Sequence, residues 1–440
     1  MNRPTANDYV HTVHRHTTDP LTLAASIAAS GQLTDYVVYE QAKRWYVAGN
    51  PIGAVTVGPD RLHSTIGGAH NETWHGNPWP RIHAALGRAP ITRWRAYGWA
   101  CFELYRPDSA APDDVLAHFM VPGVELEITE TVVHVRCYGA PFEFDPADAI
   151  LPVSTPAPVS VDTIDTAYLL RVQEALDRIH RGEFHKVIMS RRVDVPFAVD
   201  MPATYAAVRR RNTPARSFLL NLGGWQAAGV SPETVLEAGG AGFVTTQPLA
   251  GTRARTGDPD RDRVLRDDLL TDPKEIYEHA TSVRLACDEF DSVGSATRVS
   301  EFLTVKERGS VQHLASRVET RLPEGRTCWD ALAAVYPAIT ASGIPKAPAC
   351  AAIGEIEPTS RGLYSGAVVR ADSTGILDAA LVLRAVYQRD GRSWLHAGAG
   401  VVTGSTPARE HEETCEKLAC IAPYLVPARA GSRGKISMST

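Results

Sequence analysis

The chain has 440 residues, with 45 Lys+Arg against 50 Asp+Glu and a formal charge of −5, so no polybasic surface for nucleic acid or membrane is implied. Its 44% hydrophobic and 22% charged residues are ample for a core and exclude a disordered chain, and the length fits two or three domains or one large α/β body. The apolar run from Leu21 to Ser30 is too short for the ~20 residues of a bilayer span. No basic leader or cleavage pattern precedes it, so a cytoplasmic protein is expected.

Residues 1–34 are polar apart from a helix expected over 20–30. Strand-like runs follow at 36–39, 45–47, 98–102 and 124–135, where Val124, Leu126 and Ile128 alternate with Glu125 and Glu127. Pro146, Pro152, Pro156 and Pro158 mark a linker. The expected division is an N-terminal portion 1–150, a linker 151–161, a main region 162–426 and a disordered tail 427–440. Ile164, Tyr168, Val172, Ala175, Leu176 and Ile179 recur at helical spacing, and Gly182 is placed to cap a helix ending near Arg181. The β-branched run 185–195 is a strand carrying Lys186 near its start. Further strands are expected at 217–222, 234–238, 242–246, 311–321, 366–370 and 377–388, the last turning at Asp390-Gly391 into 393–402. Helices fit 273–290, 329–336 and 406–420. Hairpins mixed with long helices predict an α/β (α+β) body with largely antiparallel sheets.

Seven cysteines, an odd number without a Cys-x-x-Cys pair, argue against a disulfide framework or a zinc site. Only seven of the 45 basic residues are lysines. Lysine, unlike arginine, loses its proton when desolvated, so a lysine within an apolar run is a candidate for chemistry. Lys186, followed by Val187, Ile188 and Met189, is one. A lysine acting as a base near neutral pH must give up ~4 kcal/mol of preference for its charged form, which burial can supply. A strand-end lysine reaching water is the alternative.

Two acidic helices stand out. Glu275 and Glu278 lie at i and i+3 of one, Glu410 and Glu413 repeat that spacing in the other, and Lys417 follows Glu413 by one turn. Such carboxylates can hold a hard cation, magnesium being the natural one, or form solvated faces with salt pairs. Ser231-Pro-Glu233 places a carboxyl before a strand, as a possible acid to match the base or as an ordinary turn. Arg384 ends the apolar run Ala379-Ala-Leu-Val-Leu-Arg384 and needs a bound anion or an internal salt bridge. Gly398-Ala-Gly400 lacks the spacing of a dinucleotide fingerprint, yet leaves room for backbone N–H groups to approach a carboxylate.

Taken together the chain resembles the chorismate-utilising enzymes, in particular the salicylate synthases of mycobactin-type siderophore pathways. The resemblance runs from about Asp35 to Val426. It rests on Gly182-Glu-Phe-His-Lys-Val-Ile-Met-Ser-Arg191, Pro248-Leu-Ala-Gly-Thr-Arg253, Lys274-Glu-Ile-Tyr-Glu-His279, Ile339-Thr-Ala-Ser-Gly-Ile-Pro-Lys346, Arg361-Gly-Leu-Tyr-Ser-Gly366 and Glu412-Glu-Thr-Cys-Glu-Lys-Leu418, among others. It implies the anthranilate synthase component I-like fold, one large body with two packed sheets and helices outside. It also implies that Lys186 is the base activating water at C2 of chorismate and Glu233 the acid protonating the departing C4 hydroxyl. Glu278 and Glu413 then match magnesium ligands, supported by Glu275 and Glu410. Tyr364 and Arg384 match the positions holding the enolpyruvyl carboxylate, assisted by Gly398 and Gly400. Lys417 matches a position near the ring carboxylate. His313 is grouped with the catalytic pair, and Leu249, Gly251, Thr252 and Thr340 match pocket positions.

Ammonia-using relatives carry glutamine at the position of Lys186. A glutamine amide cannot deprotonate water, so water is the expected nucleophile and no glutamine amidotransferase subunit is required; a monomer is expected. The tryptophan-sensing stretch of anthranilate synthases is replaced by Val38-Tyr-Glu-Gln41. Thr340 matches members that continue to salicylate, so the expected activity is a Mg²⁺-dependent conversion of chorismate through isochorismate to salicylate and pyruvate. The alternatives are an isochorismate synthase that stops at isochorismate and a catalytically silent binding protein. The chain departs from the family pattern at Gln247, at Asp272-Pro273 and at His411 beside Glu410.

Overall fold

The structure, a computed structural model, describes residues 9–429 apart from positions 153, 241 and 310. In chain order come β1 (Val10–Arg15), α1 (Pro20–Ala29), β2 (Tyr36–Gln41), β3 (Arg44–Val57), β4 (Arg61–Ser64), β5 (His70–Thr73), α2 (Trp79–Leu86), β6 (Arg95–Ala100), β7 (Ala117–Ile128) and β8 (Val132–Cys137). After the proline-rich stretch follow α3 (Thr166–His180), β9 (Lys186–Val195), α4 (Met201–Arg211), β10 (Arg216–Leu222), β11 (Trp225–Ser231), β12 (Thr234–Gly239), β13 (Phe243–Thr246), β14 (Leu249–Ala254), α5 (Pro259–Thr271) and α6 (Pro273–Asp291). The chain then forms β15 (Ser295–Arg308), β16 (Val311–Arg321), α7 (Cys328–Val335), β17 (Gly343–Ile344), α8 (Lys346–Ile356), β18 (Ala367–Asp372), β19 (Ile376–Leu381), β20 (Ala385–Arg389), β21 (Arg392–Val401) and α9 (Pro407–Leu418).

Local chemistry sets several boundaries. The helix expected from Ile164 begins at Thr166 because the Asp165 carboxylate accepts from the Tyr168 N–H, leaving Ile164 outside the buried stripe and exposed. The single strand expected over 124–135 is two, split by a turn in which the Thr129 N–H donates to the Val132 carbonyl. The strand expected over 377–388 is also two, β19 and β20, broken where Arg384 takes a φ of +49°. The segment of about 253–268 holds most of α5, capped by Asp258.

Among the described residues every strand pairing is antiparallel. β9, β21, β20, β11, β10, β2, β3, β7, β6, β18, β19, β12, β13 and β16 hydrogen-bond in that order as one ribbon. The two packed sheets expected from the resemblance are two layers of this ribbon. Between them lie Val37 and Tyr39 of β2, Tyr97 and Trp99 of β6, Phe218 and Leu220 of β10, and Val368 of β18. Strand alternation sends the intervening residues the other way: Val38 and Leu219 pack with α1 and α4, and Val369 packs with α2 and α7. α3 and α8 cover β9. Residues 36–41 pair with 216–221, and 95–100 with 367–372, so the ribbon passes twice between the N-terminal portion and the main region. The 151–161 stretch carries no helix or strand among its described residues, and is tied down by Ala157 and Val159 N–H groups donating to Leu425 and Ala422 carbonyls. Pro427 bridges Val199, and the expected tail beyond Arg429 lies outside the described residues.

Candidate active site

A cavity of about 120 Å³ opens where β9 and β21 meet α6, α9 and the β11–β12 turn. Of the sixteen expected site residues, fourteen line it: Lys186, Glu233, Leu249, Gly251, Thr252, Glu278, His313, Thr340, Tyr364, Arg384, Gly398, Gly400, Glu413 and Lys417. Glu275 and Glu410, three residues before Glu278 and Glu413 on their helices, do not line it.

Lys186 opens β9 and is 5% exposed. Its Nζ donates to Glu278 Oε1 at 2.5 Å. Burial works to raise the Glu278 carboxyl, but the adjoining Lys186 ammonium outweighs it and holds that carboxyl below its usual range. Glu233 sits at the β11–β12 turn, where the Ser231 hydroxyl donates to its carbonyl and to that of Leu381. Its carboxyl is pushed up to about 8 by burial, against the lowering effects of the Thr340 hydroxyl, the Leu249 N–H and Lys186. Thr340 Oγ1 donates to Glu233 Oε1 at 2.7 Å.

Arg384 and His313 interlock. The Arg384 guanidinium, which has only donors, gives a hydrogen bond to His313 Nε2 at 3.1 Å, so Nε2 is bare and the His313 proton sits on Nδ1, which donates to Thr252 Oγ1 at 2.9 Å. Burial, reinforced by Arg384, Lys417 and Arg308, holds His313 neutral far below its usual range. No carboxylate pairs with Arg384 among the described residues, and burial lowers it. The internal salt bridge left open by the sequence is therefore absent there, and the cation is free to receive an anion.

On α9, Glu413 pairs with Lys417 at 2.7 Å, and the Lys417 ammonium also reaches the Gly398 carbonyl at 2.9 Å. Glu275 pairs with Arg253, while Glu410 Oε2 is buried without a partner; burial raises both carboxyls, and each is raised further by its neighbour one turn on. Among the described residues no three His, Cys, Asp or Glu side chains already gather as a metal cage. Magnesium asks less of a protein, one or two carboxylates plus waters and an anionic substrate, and Glu278 and Glu413 at the cavity wall fit that demand.

Sequence reasoning passed over His396, which lines the cavity from β21. Its signal was period two: it precedes Gly398 by two residues and Gly400 by four, so all three share a face. A wider groove of about 910 Å³ between α1, β1 and the 141–152 segment is lined by none of the sixteen expected site residues.

Residues 35–423 match the family described as chorismate binding enzyme. The chain belongs to that family. As a chorismate-utilising enzyme it is 42% identical to the salicylate synthase of Mycolicibacterium paratuberculosis over 93% of this chain and 94% of that one. It is 39% identical to anthranilate synthase component 1 of Thermus thermophilus over 60% of this chain and 58% of that one. Among solved structures, anthranilate synthase component I from Streptococcus pneumoniae superposes with a TM-score of 0.74 at 23% identity, covering 87% and 92% of the two chains. The menaquinone-specific isochorismate synthase from Escherichia coli gives 0.72 at 21% identity, covering 94% of each. These two likenesses establish the mixed helix and antiparallel-sheet fold. No helix among the described residues is long and apolar enough to cross a membrane.

Proposed function

We propose that this enzyme is a salicylate synthase, turning chorismate through isochorismate into salicylate and pyruvate. The observation that carries this is a buried lysine and a buried carboxyl, raised by that burial, facing one cavity: Lys186 and Glu233. In its neutral form Lys186 takes a proton from water as that water bonds to C2 of the ring. Glu233 gives its proton to the C4 hydroxyl, which departs as water, so one water enters and one leaves. Arg384 and Tyr364 hold the enolpyruvyl carboxylate, with Gly398 and Gly400 allowing close approach of the strand. Transfer of hydrogen from C2 to the enolpyruvyl methylene, with cleavage of the C3–O bond, then releases pyruvate and leaves the aromatic ring. No base is needed for that second step, only a bent substrate held against Thr340 and Leu249.

Glu278 and Glu413, backed by Glu275 and Glu410, are the residues that would hold Mg²⁺. When bound, the ion supplies charge neutralisation and orientation of the ring carboxylate. Water as nucleophile calls for no glutamine amidotransferase subunit, so we place the enzyme as a standalone monomer. Its seven cysteines, all free, suit the reducing cytoplasm.

Incubation with chorismate and Mg²⁺ should yield salicylate fluorescence and pyruvate in equal amounts, and Lys186→Gln should slow turnover by about 10²- to 10⁴-fold. Isochorismate accumulating alone would make the enzyme an isochorismate synthase. Turnover within a few fold in Lys186→Gln would remove the lysine from the water-activating role.

A further inference from the structure

His396 takes no part in the chemistry above, yet it is buried in the wall of the cavity. Its ring lies flat on Tyr364, with centroids 3.9 Å apart and planes 16° from parallel. At the far end of the phenol a Cβ on Gly398 would come within 2.7 Å of Tyr364 Oη. Two neighbours on the same strand face thus define the ring's place, one by supporting it and one by lacking a side chain. Ser365, at a φ of +62°, turns the chain immediately after the tyrosine.

A chain of hydrogen bonds fixes His396 in turn. Glu357 Oε1 accepts from the Ser190 N–H at 2.8 Å and from Arg361 Nη2 at 2.7 Å, and Arg361 Nε donates to Oε2 at 2.8 Å. Ser190 Oγ spends its one proton on the same Oε1, at 2.8 Å. Its lone pair is then left to accept from His396 Nε2 at 2.8 Å, which puts the imidazole proton on Nε2. The other ring nitrogen, Nδ1, is buried without a hydrogen-bond partner. A core needing only apolar volume would hold phenylalanine here without burying an unpaired nitrogen. The polar chain Arg361–Glu357–Ser190–His396 instead sets the angle of one ring plane, and Tyr364 lies on that plane.

We infer that His396 is a positioning residue: it holds the Tyr364 ring so that the hydroxyl meets the substrate carboxylate, which rests on the role given to Tyr364 in the proposed function.

The test is a double-mutant cycle on the full chain, read as KM and kcat for chorismate, with thermal midpoints recorded alongside. His396→Ala should raise KM about fivefold, the size of one aromatic pair, with kcat within about twofold. His396→Phe keeps the stack and should restore most of that KM. In a Tyr364→Phe background, His396→Ala should add nothing. Ser190→Ala, which leaves both rings in place, should give a smaller KM rise that also vanishes in Tyr364→Phe, and serves if His396→Ala does not fold. A KM rise that persists undiminished in Tyr364→Phe, or a His396→Phe enzyme as impaired as His396→Ala, overturns the inference. A wild type that binds chorismate without turning it over sinks the proposed function, and the cycle is then read in dissociation constants. A wild type that does not bind chorismate sinks both.

Discussion

At the scale of single residues the site joins two ion pairs, Lys186–Glu278 and Lys417–Glu413, to one carboxyl raised by burial. Glu233 has the clearest consequence. Its folded carboxyl titrates at about 8 against an ordinary 4.5, so between those values the unfolded chain has released the proton while the folded one still holds it. The unfolded state then binds fewer protons, and stability falls as pH rises from 4.5 toward 8. Glu233→Gln cannot ionise and escapes this loss. Its thermal midpoint, measured against wild type, should gain progressively from pH 5 to pH 8; parallel curves would place the carboxyl at an ordinary value. The same proton makes the acid competent below about pH 8, so the rate should decline above it. Lys186 and Glu233 were legible in the sequence because each sits in a compact motif. The left-handed turn at Arg384 was not, since Ala379 to Leu383 reads as a strand that simply continues, and His396 reads as one polar residue in another strand.

At the scale of elements, the two acidic helices meet the cavity from different parts of the chain. Glu278 leans on Lys186 and Glu413 on Lys417, so the lysines hold the carboxylates that the proposed Mg²⁺ would take. Millimolar Mg²⁺ should raise the thermal midpoint of the wild type, by the mass-action stabilisation of any ligand that binds only the folded state. That rise should be lost in Glu278→Gln and in Glu413→Gln; a shift surviving in both would move the ion elsewhere. The start of α6 explains one departure from the family pattern. Asp272 is its N-cap, accepting from Lys274 and Glu275 N–H groups, and Pro273 takes the first helical position where no N–H is missed. The other Asp272 oxygen receives Arg253, which also ties Asp268 at the end of α5 and Glu275 on α6. Asp272→Ala should therefore cost about 1–2 kcal/mol in denaturant unfolding, a missing cap and a lost tie. α6 and α9 could be read from their periodicity and caps. α5 could not: Leu269 is its one buried residue, so its sequence looks like solvated loop.

At the scale of the whole molecule, six of the ribbon's thirteen pairings join consecutive strands and seven join strands far apart in the chain. Turn and alternation signals reveal hairpins such as β20–β21, but nothing local says that β2 will lie beside β10 or β6 beside β18. Residues 162–440 expressed alone would leave β10 and β18 each with one of its two neighbours missing and expose Phe218, Leu220 and Val368 on the inner layer. That fragment should be aggregated or lack near-ultraviolet circular dichroism, and recover structure on adding residues 1–161. A well-folded fragment would mean that the two portions are independent. The same two pairings matter while the chain is being made. Once residues 36–137 have emerged, the edges of β2 and β6 wait for partners that begin about 80 and 230 residues further on, on the order of ten seconds or more at ordinary synthesis rates. During that interval the nascent chain presents two open strand edges to its neighbours on the polysome. The yield of active enzyme should then respond to translation speed and chaperone supply more steeply than its equilibrium stability does.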